Sequence, residues 1–196
     1  MSKGIILVGA GGHCRSCIDV IESKKEYSIK YLFDANFPEI KKVYNYEVAG
    51  KDEDITRFIP EINYAFVTVG QIKNYEPRYR IYKLLKEYGF SIPVIASKFA
   101  FVSKRAFTND GTVVMHGAVV NGNSEIGENS IINSLSLIEH DVRIGNNCHI
   151  STGARINGST IIGDNCFIGS GSIIYQDIII QPGTIIPAGS VIKNNI

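Results

Sequence analysis

The hydrophobic rhythm of the chain changes near residue 92. Before that point, short apolar runs at 5–8, 31–33 and 65–69 alternate with stretches of helical spacing at 16–23 and 79–88. Strands separated by helices predict βαβ units on a parallel sheet. Arg78, Ile81, Tyr82, Leu84 and Leu85 recur at helical spacing, and Gly89 ends that helix. Ser91-Ile92-Pro93 marks a boundary, because proline stops helices and stiffens linkers. The expected domains are therefore 1–92 and 93–196.

Beyond the boundary a period of six takes over. From Val114 and Val120 it runs through Ile126, Ile132, Ile138, Ile144 and onward to Ile192 without interruption. Four places after each comes a mostly small residue, as at Ala118, Ser124, Ser130, Cys148, Thr160 and Cys166. One such unit cannot bury its own apolar face and needs stacked neighbours, which predicts a parallel β-helix. Three units close a triangular coil, so residues eighteen apart become vertical neighbours at about 4.8 Å. Glycine after the isoleucine (Gly127, Gly145, Gly163, Gly169), with asparagine at 129, 147 and 165, is read as serving positive-φ turns. The phase slips only at Thr108-Asn109-Asp110-Gly111, where an irregular or loop-bearing first coil is expected.

Stacking by eighteen also predicts the surroundings of each outward residue. His140 falls between Gly122 and Gly158, and Glu139 between Asn121 and Asn157. Glycines above and below an imidazole leave a notch for a ligand, and a neighbouring carboxylate can fix its tautomer and stabilise its charged form. A histidine so placed suits general-base chemistry, since its ordinary pKa of about 6.5 lies near working pH. His149, between Ile131 and Phe167, is open between a polar cover and a binding role, and His116 reads as surface.

In the first domain, Gly9-Ala10-Gly11-Gly12-His13 follows a strand and opens a helix. Backbone N–H groups can meet a phosphate there, because glycine permits close approach and a helix N-terminus favours negative charge. Asp34 ends the second strand where such Rossmann-like folds bind a ribose or base.

Composition narrows the function classes. A net charge of +1 gives no basic stripe, so nucleic acid is not an expected partner. The apolar run at 5–8 is too short for a signal peptide or a membrane span, which points to the cytoplasm. Cys14 and Cys17 lack a second Cys/His pair at ligand spacing, so they read as helix packing and no metal is expected; Cys148 and Cys166 fill the small slot of the repeat.

These motifs, with the stretches 132–141, 144–151 and Gly158 before Ile162-Gly163-Asp164-Asn165, resemble the PglD/NeuD-like bacterial sugar acetyltransferases over nearly the whole chain. The resemblance implies an α/β Rossmann-like domain followed by a left-handed parallel β-helix, assembled as a homotrimer with active sites between neighbouring prisms. It implies His140 as general base with Glu139 as its partner. His149, Asn133 and Gly158 would line the acetyl-CoA site, and the Gly158 N–H would hold the thioester oxygen. A nucleotide-linked amino sugar would rest on Gly11, Gly12, His13 and Asp34, with Gly70 and Arg78 nearby. The expected reaction moves acetyl from acetyl-CoA to the sugar's 4-amino group. Acetylation of a hydroxyl, as on sialic acid, and a non-catalytic nucleotide-sugar-binding protein are the alternatives.

Overall fold

A computed structural model describes residues 2–58 and 61–196, in two compact units, Met1–Pro93 and Val94–Ile196. The first unit is built on β1 (Lys3–Val8), α1 (Gly12–Lys24), β2 (Tyr27–Phe33), β3 (Lys42–Val43), β4 (Tyr46–Gly50), a 3-10 helix (Asp52–Phe58), β5 (Tyr64–Val67) and α2 (Glu76–Glu87). Its sheet runs β3-β4-β2-β1-β5, parallel except for the β3–β4 hairpin. Ile5, Ile6, Leu7 and Val8 of β1 are buried, which explains why the central strand reads as a continuous apolar run. The hairpin and the 3-10 helix are additions to the sequence reading. Their strands are too short, and their apolar residues too few, to set up a visible period.

Strand order reverses beside β1. Successive strands step to one side as far as β3 and β4, and β5 then lands on the other side. The crevice outside the carboxyl ends of β1 and β5 is therefore the topological switch point, where open α/β sheets bind ligands.

The second unit is a left-handed parallel β-helix. Two-residue strands stack into three sheets of six, five and six. Every pairing is parallel and eighteen residues in register, as in Val119↔Leu137↔Arg155↔Ile173↔Val191. The inward isoleucines from Ile126 to Ile186 are buried as one core.

Three features of the prism differ from the sequence reading. The coil at residues 107–111 is regular: Phe107 and Thr108 pair with Glu125 and Ile126, and Thr108 takes the inward slot without any loop. From Thr108 to Ile186, positive φ falls three places past each inward residue, at Asn129, Asn147 and Asn165 as read, but not at Gly127 or Gly163. Those glycines provide clearance instead. A methyl built on Gly127 would meet the carbonyl carbon of Gly145 at 2.5 Å and the nitrogen of Asn146 at 2.6 Å, both backbone atoms of the next coil.

The small corner residues also do more than fit. Thr112, Ser124, Ser130, Thr160 and Ser172 each donate a hydroxyl to the carbonyl fifteen residues on, in the following coil, at 2.6–3.2 Å. Cys148 and Cys166 repeat the contact with their thiols, to Gly163 and Gln181 at 3.1 and 3.2 Å. A corner that admits only a small side chain thus selects one that can also tie two coils together.

Gly127→Ala should lower the unfolding free energy by about 1–3 kcal/mol, because the atoms in its way are backbone and cannot rotate aside. The shift of the denaturant midpoint measures it.

Candidate active site

His140 stands on the turn that follows the Leu137–Ile138 strand, with its side chain 66% exposed. Asp141, next in the chain, occupies the positive-φ position of that turn at φ 62°. Aspartate tolerates this left-handed geometry. There the carboxylate folds back, and its Oδ2 lies 2.7 Å from His140 Nδ1. Asn123, one coil below, donates to the other oxygen of Asp141 and holds the carboxylate from the opposite side. The Asp141 hydrogen bond, the largest cause, raises the His140 pKa above its ordinary 6.5, with the charges of Asp141 and Glu139 acting in the same direction. The Asp141 pKa is lowered, first by Asn123 and then by His140.

This pairing corrects the assignment of Glu139 as the partner of the imidazole. Glu139 accepts a hydrogen bond from Asn121 Nδ2 at 2.8 Å, and its effect on His140 is only through space. A side chain one position earlier leaves the coil before the turn, and so points along the stack instead of across it.

With Nδ1 engaged by a carboxylate, the proton resides there, and Nε2 is left to accept another. The ring lies against the side-chain position of Gly158. A methyl on that glycine would meet Cε1 at 2.8 Å and Nε2 at 3.0 Å, so only glycine leaves the ring where it is. Gly122, on the other side, would carry a methyl with only Ser103 Oγ nearby, at 3.6 Å. The notch inferred from stacking is thus set by Gly158.

His149 and Asn133 form a second cluster. Asn133 Oδ1 accepts the Ser134 N–H at 2.7 Å, which fixes its amide so that Nδ2 faces His149 Nε2 at 3.0 Å. An amide nitrogen only donates, so His149 Nε2 is the acceptor and its ring proton sits on Nδ1. Phe167 packs its ring against the imidazole at 5.3 Å, and His149 is 6% exposed. The turn at 133–136 and the turn at 139–142 are consecutive corners of one coil, so one side of the triangle, roughly 15–20 Å, separates the two clusters within a chain. His116 hydrogen-bonds Ser97 Oγ through Nδ1 at 2.6 Å and belongs to neither cluster.

In the first unit, Gly11, Gly12, His13, Asp34 and Gly70 gather at the carboxyl ends of β1, β2 and β5. Gly11 caps α1 without a side-chain hydrogen bond, and a methyl on Gly11 or Gly12 would meet nothing within 4 Å. No side chain of either glycine therefore stands over the first turn of α1. Gly70 approaches His13 closely: a methyl on it would lie 3.3 Å from His13 Cβ. Asp34 is almost fully buried, and its carboxylate accepts the Ala10 N–H at 2.6 Å and both Asn36 nitrogens. It holds the glycine turn in place.

Arg78 does not join this group. It is fully buried, and Nη1 donates to the carbonyls of Val67 and Val69 at 2.8 and 2.9 Å, while burial lowers its pKa to about 10. Its charge is used to anchor the chain leaving β5, which corrects its reading as a sugar-nucleotide contact. Thr68, which the sequence reading passed over, shares this work through a hydroxyl between the carbonyls of Val8 and Gly9. No motif marks it, because a threonine closing an apolar run is commonplace. Cys14 and Cys17 are buried on α1, where burial pushes their thiols up to about 11 and about 12. No helix among the described residues is long and apolar enough to cross a membrane.

Comparison with known proteins agrees with this layout. Residues 4–85 match the PglD N-terminal domain, and residues 126–158 and 159–194 match the bacterial transferase hexapeptide repeats. The chain belongs to the PglD-like hexapeptide-repeat acetyltransferases. A mutant of perosamine N-acetyltransferase from Caulobacter crescentus, in complex with CoA and GDP-perosamine, superposes with a TM-score of 0.93 at 25% identity, covering 98% of this chain and 90% of that one. The acetyltransferase domain of PglB from Neisseria gonorrhoeae, in complex with acetyl coenzyme A, gives 0.91 at 28% identity, over 100% and 93%. WeeI from Acinetobacter baumannii shares the fold at 0.75 and 20% identity, over 97% and 96%.

Asp141→Asn should bring the His140 pKa down toward the ordinary histidine value, whereas Glu139→Gln should move it less. Titration of the His140 ring resonances by NMR compares the two, and a larger effect at Glu139 would contradict the geometry.

Proposed function

We propose that the protein transfers the acetyl group of acetyl-CoA to the 4-amino group of a nucleotide-linked amino-deoxy sugar, with His140 as general base. The observation that carries this reading is the His140–Asp141 pair, whose imidazole ring lies against the side-chain position left empty by Gly158. Two similar proteins support the substrate classes: one holds CoA and GDP-perosamine, the other acetyl coenzyme A.

The step is a direct displacement. The sugar amine attacks the thioester carbonyl, its proton passes to His140 Nε2, the C–S bond breaks as the C–N bond forms, and CoA leaves as the thiolate. Asp141 stabilises the imidazolium that forms, and the Gly158 N–H would meet the developing oxyanion. Asn133 and His149 bind on the donor side, and the open N-terminus of α1, with Gly11, Gly12, His13 and Gly70, holds the nucleotide phosphates.

One chain carries the His140 cluster and the His149 cluster on different corners. A complete site therefore forms where the His140 edge of one protomer meets the Asn133 edge of another, in a homotrimer. The outward faces support such packing, since Phe101, Ile185 and Val191 are each at least half exposed.

Thiol release from acetyl-CoA, measured against GDP- and UDP-linked 4-amino sugars, tests the proposal directly. His140→Ala should lower kcat by about 10²–10⁴ while leaving the melting temperature and CoA binding unchanged. Wild-type rates in that variant would remove His140 from the mechanism. Gly158→Ala should also lower kcat, without unfolding the protein, because its methyl displaces an exposed ring and not the backbone.

A further inference from the structure

The corner that carries Asn133 shows an anomaly one place past Ser134. Its positive-φ position is glycine in the coil below and in three coils above, at Gly117, Gly153, Gly171 and Gly189, with φ between 67° and 71°. Second in this stack stands Leu135, at φ 60°. A leucine in the left-handed region strains the backbone, as glycine does not. Burial within the chain gives little back, for Leu135 is 69% exposed. Its Cδ2 leans over Gly117, where a methyl would meet it at 2.7 Å. Above it the edge is bare, since a methyl on Gly153, Gly171 or Gly189 would meet nothing within 4 Å. The glycines thus form an open track parallel to the prism axis, and Leu135 is where that track ends. The end lies two residues from Asn133, whose amide is locked onto His149.

We propose that Leu135 is a specificity-determining residue that limits the acyl group of the thioester donor to a short one. An apolar side chain suits this place, since it meets an acyl methyl without leaving a polar group unpaired, and its bulk occupies the space that added methylenes would need. The inference rests on the reading of Asn133 and His149 as donor-side residues. It goes further by naming the part of the donor that is measured and the side chain that measures it.

Isothermal titration of the full-length protein with CoA, acetyl-CoA, propionyl-CoA and butyryl-CoA tests it. Wild-type protein should bind butyryl-CoA at least tenfold more weakly than acetyl-CoA, and Leu135→Gly should reduce that ratio below about threefold. Leu135→Ala keeps a side chain at the strained position but removes the bulk, and it should relax the preference too. Leu135→Gly should melt at or above the wild-type temperature, because glycine suits the backbone there; a clearly lower value would mean that the leucine serves folding and would overturn the proposal. A butyryl penalty that is absent from the wild type, or unchanged in both variants, would also overturn it. Failure of the underlying reading looks different: CoA and acetyl-CoA would then bind none of the three proteins.

Discussion

Parallel pairing between coils, at a constant offset of eighteen residues, is the constraint on which the second half of this protein depends. It aligns each inward isoleucine with the one a coil away, so that inward side chains from all three sheets form one continuous core along the prism. It also brings turn over turn, and the chemistry of the corners follows. Where two turns approach most closely, only glycine fits. Where a corner can hold a small side chain, a hydroxyl or thiol reaches the carbonyl of the following coil. The polar stretch at 108–111 keeps the same offset, with Thr108 in the inward slot and Gly111 at the positive-φ position, and so forms a regular coil.

The same geometry makes the catalytic pair inexpensive in structural terms. The corners from Gly111 to Gly189 each hold one residue with positive φ, and asparagine or aspartate fills that place at Asn123, Asp141, Asn165 and Asp177. At Asp141 the turn residue doubles as the partner of the preceding histidine, so the feature that closes the coil also sets the tautomer and raises the basicity of the imidazole. Gly158 completes the arrangement from the next coil by having no side chain. Neither His140 nor Asp141 is buried, so little folding energy is tied up in the site.

The first unit solves a different problem, which is to keep a crevice open at the end of a sheet. Thr68 and Arg78 satisfy carbonyls at the ends of β1 and β5, and Asp34 holds the glycine turn by its Ala10 N–H. These buried polar groups fix the loops around the N-terminus of α1, whose own N–H groups stay free of side-chain caps. A buried arginine bonded to backbone carbonyls is easily mistaken for a ligand-binding one in a sequence, because its residue type and its place after a glycine loop suit either role.

Much of this was written in the residue order. The period of six pointed to the β-helix, since one such unit cannot bury its isoleucine without stacked neighbours, and counting by eighteen put His140 beside Gly158. Even Asp141 could have been found by noting that it sits three past Ile138, in the slot that holds asparagine elsewhere. What the tertiary structure alone decided concerns direction and burial. Whether a carboxylate points across a turn or along a stack, whether an arginine faces solvent or a sheet edge, and whether a glycine serves φ or clearance all depend on atoms far away in the chain. Linear spacing states which residues become neighbours; only the packed backbone determines which of their atoms meet.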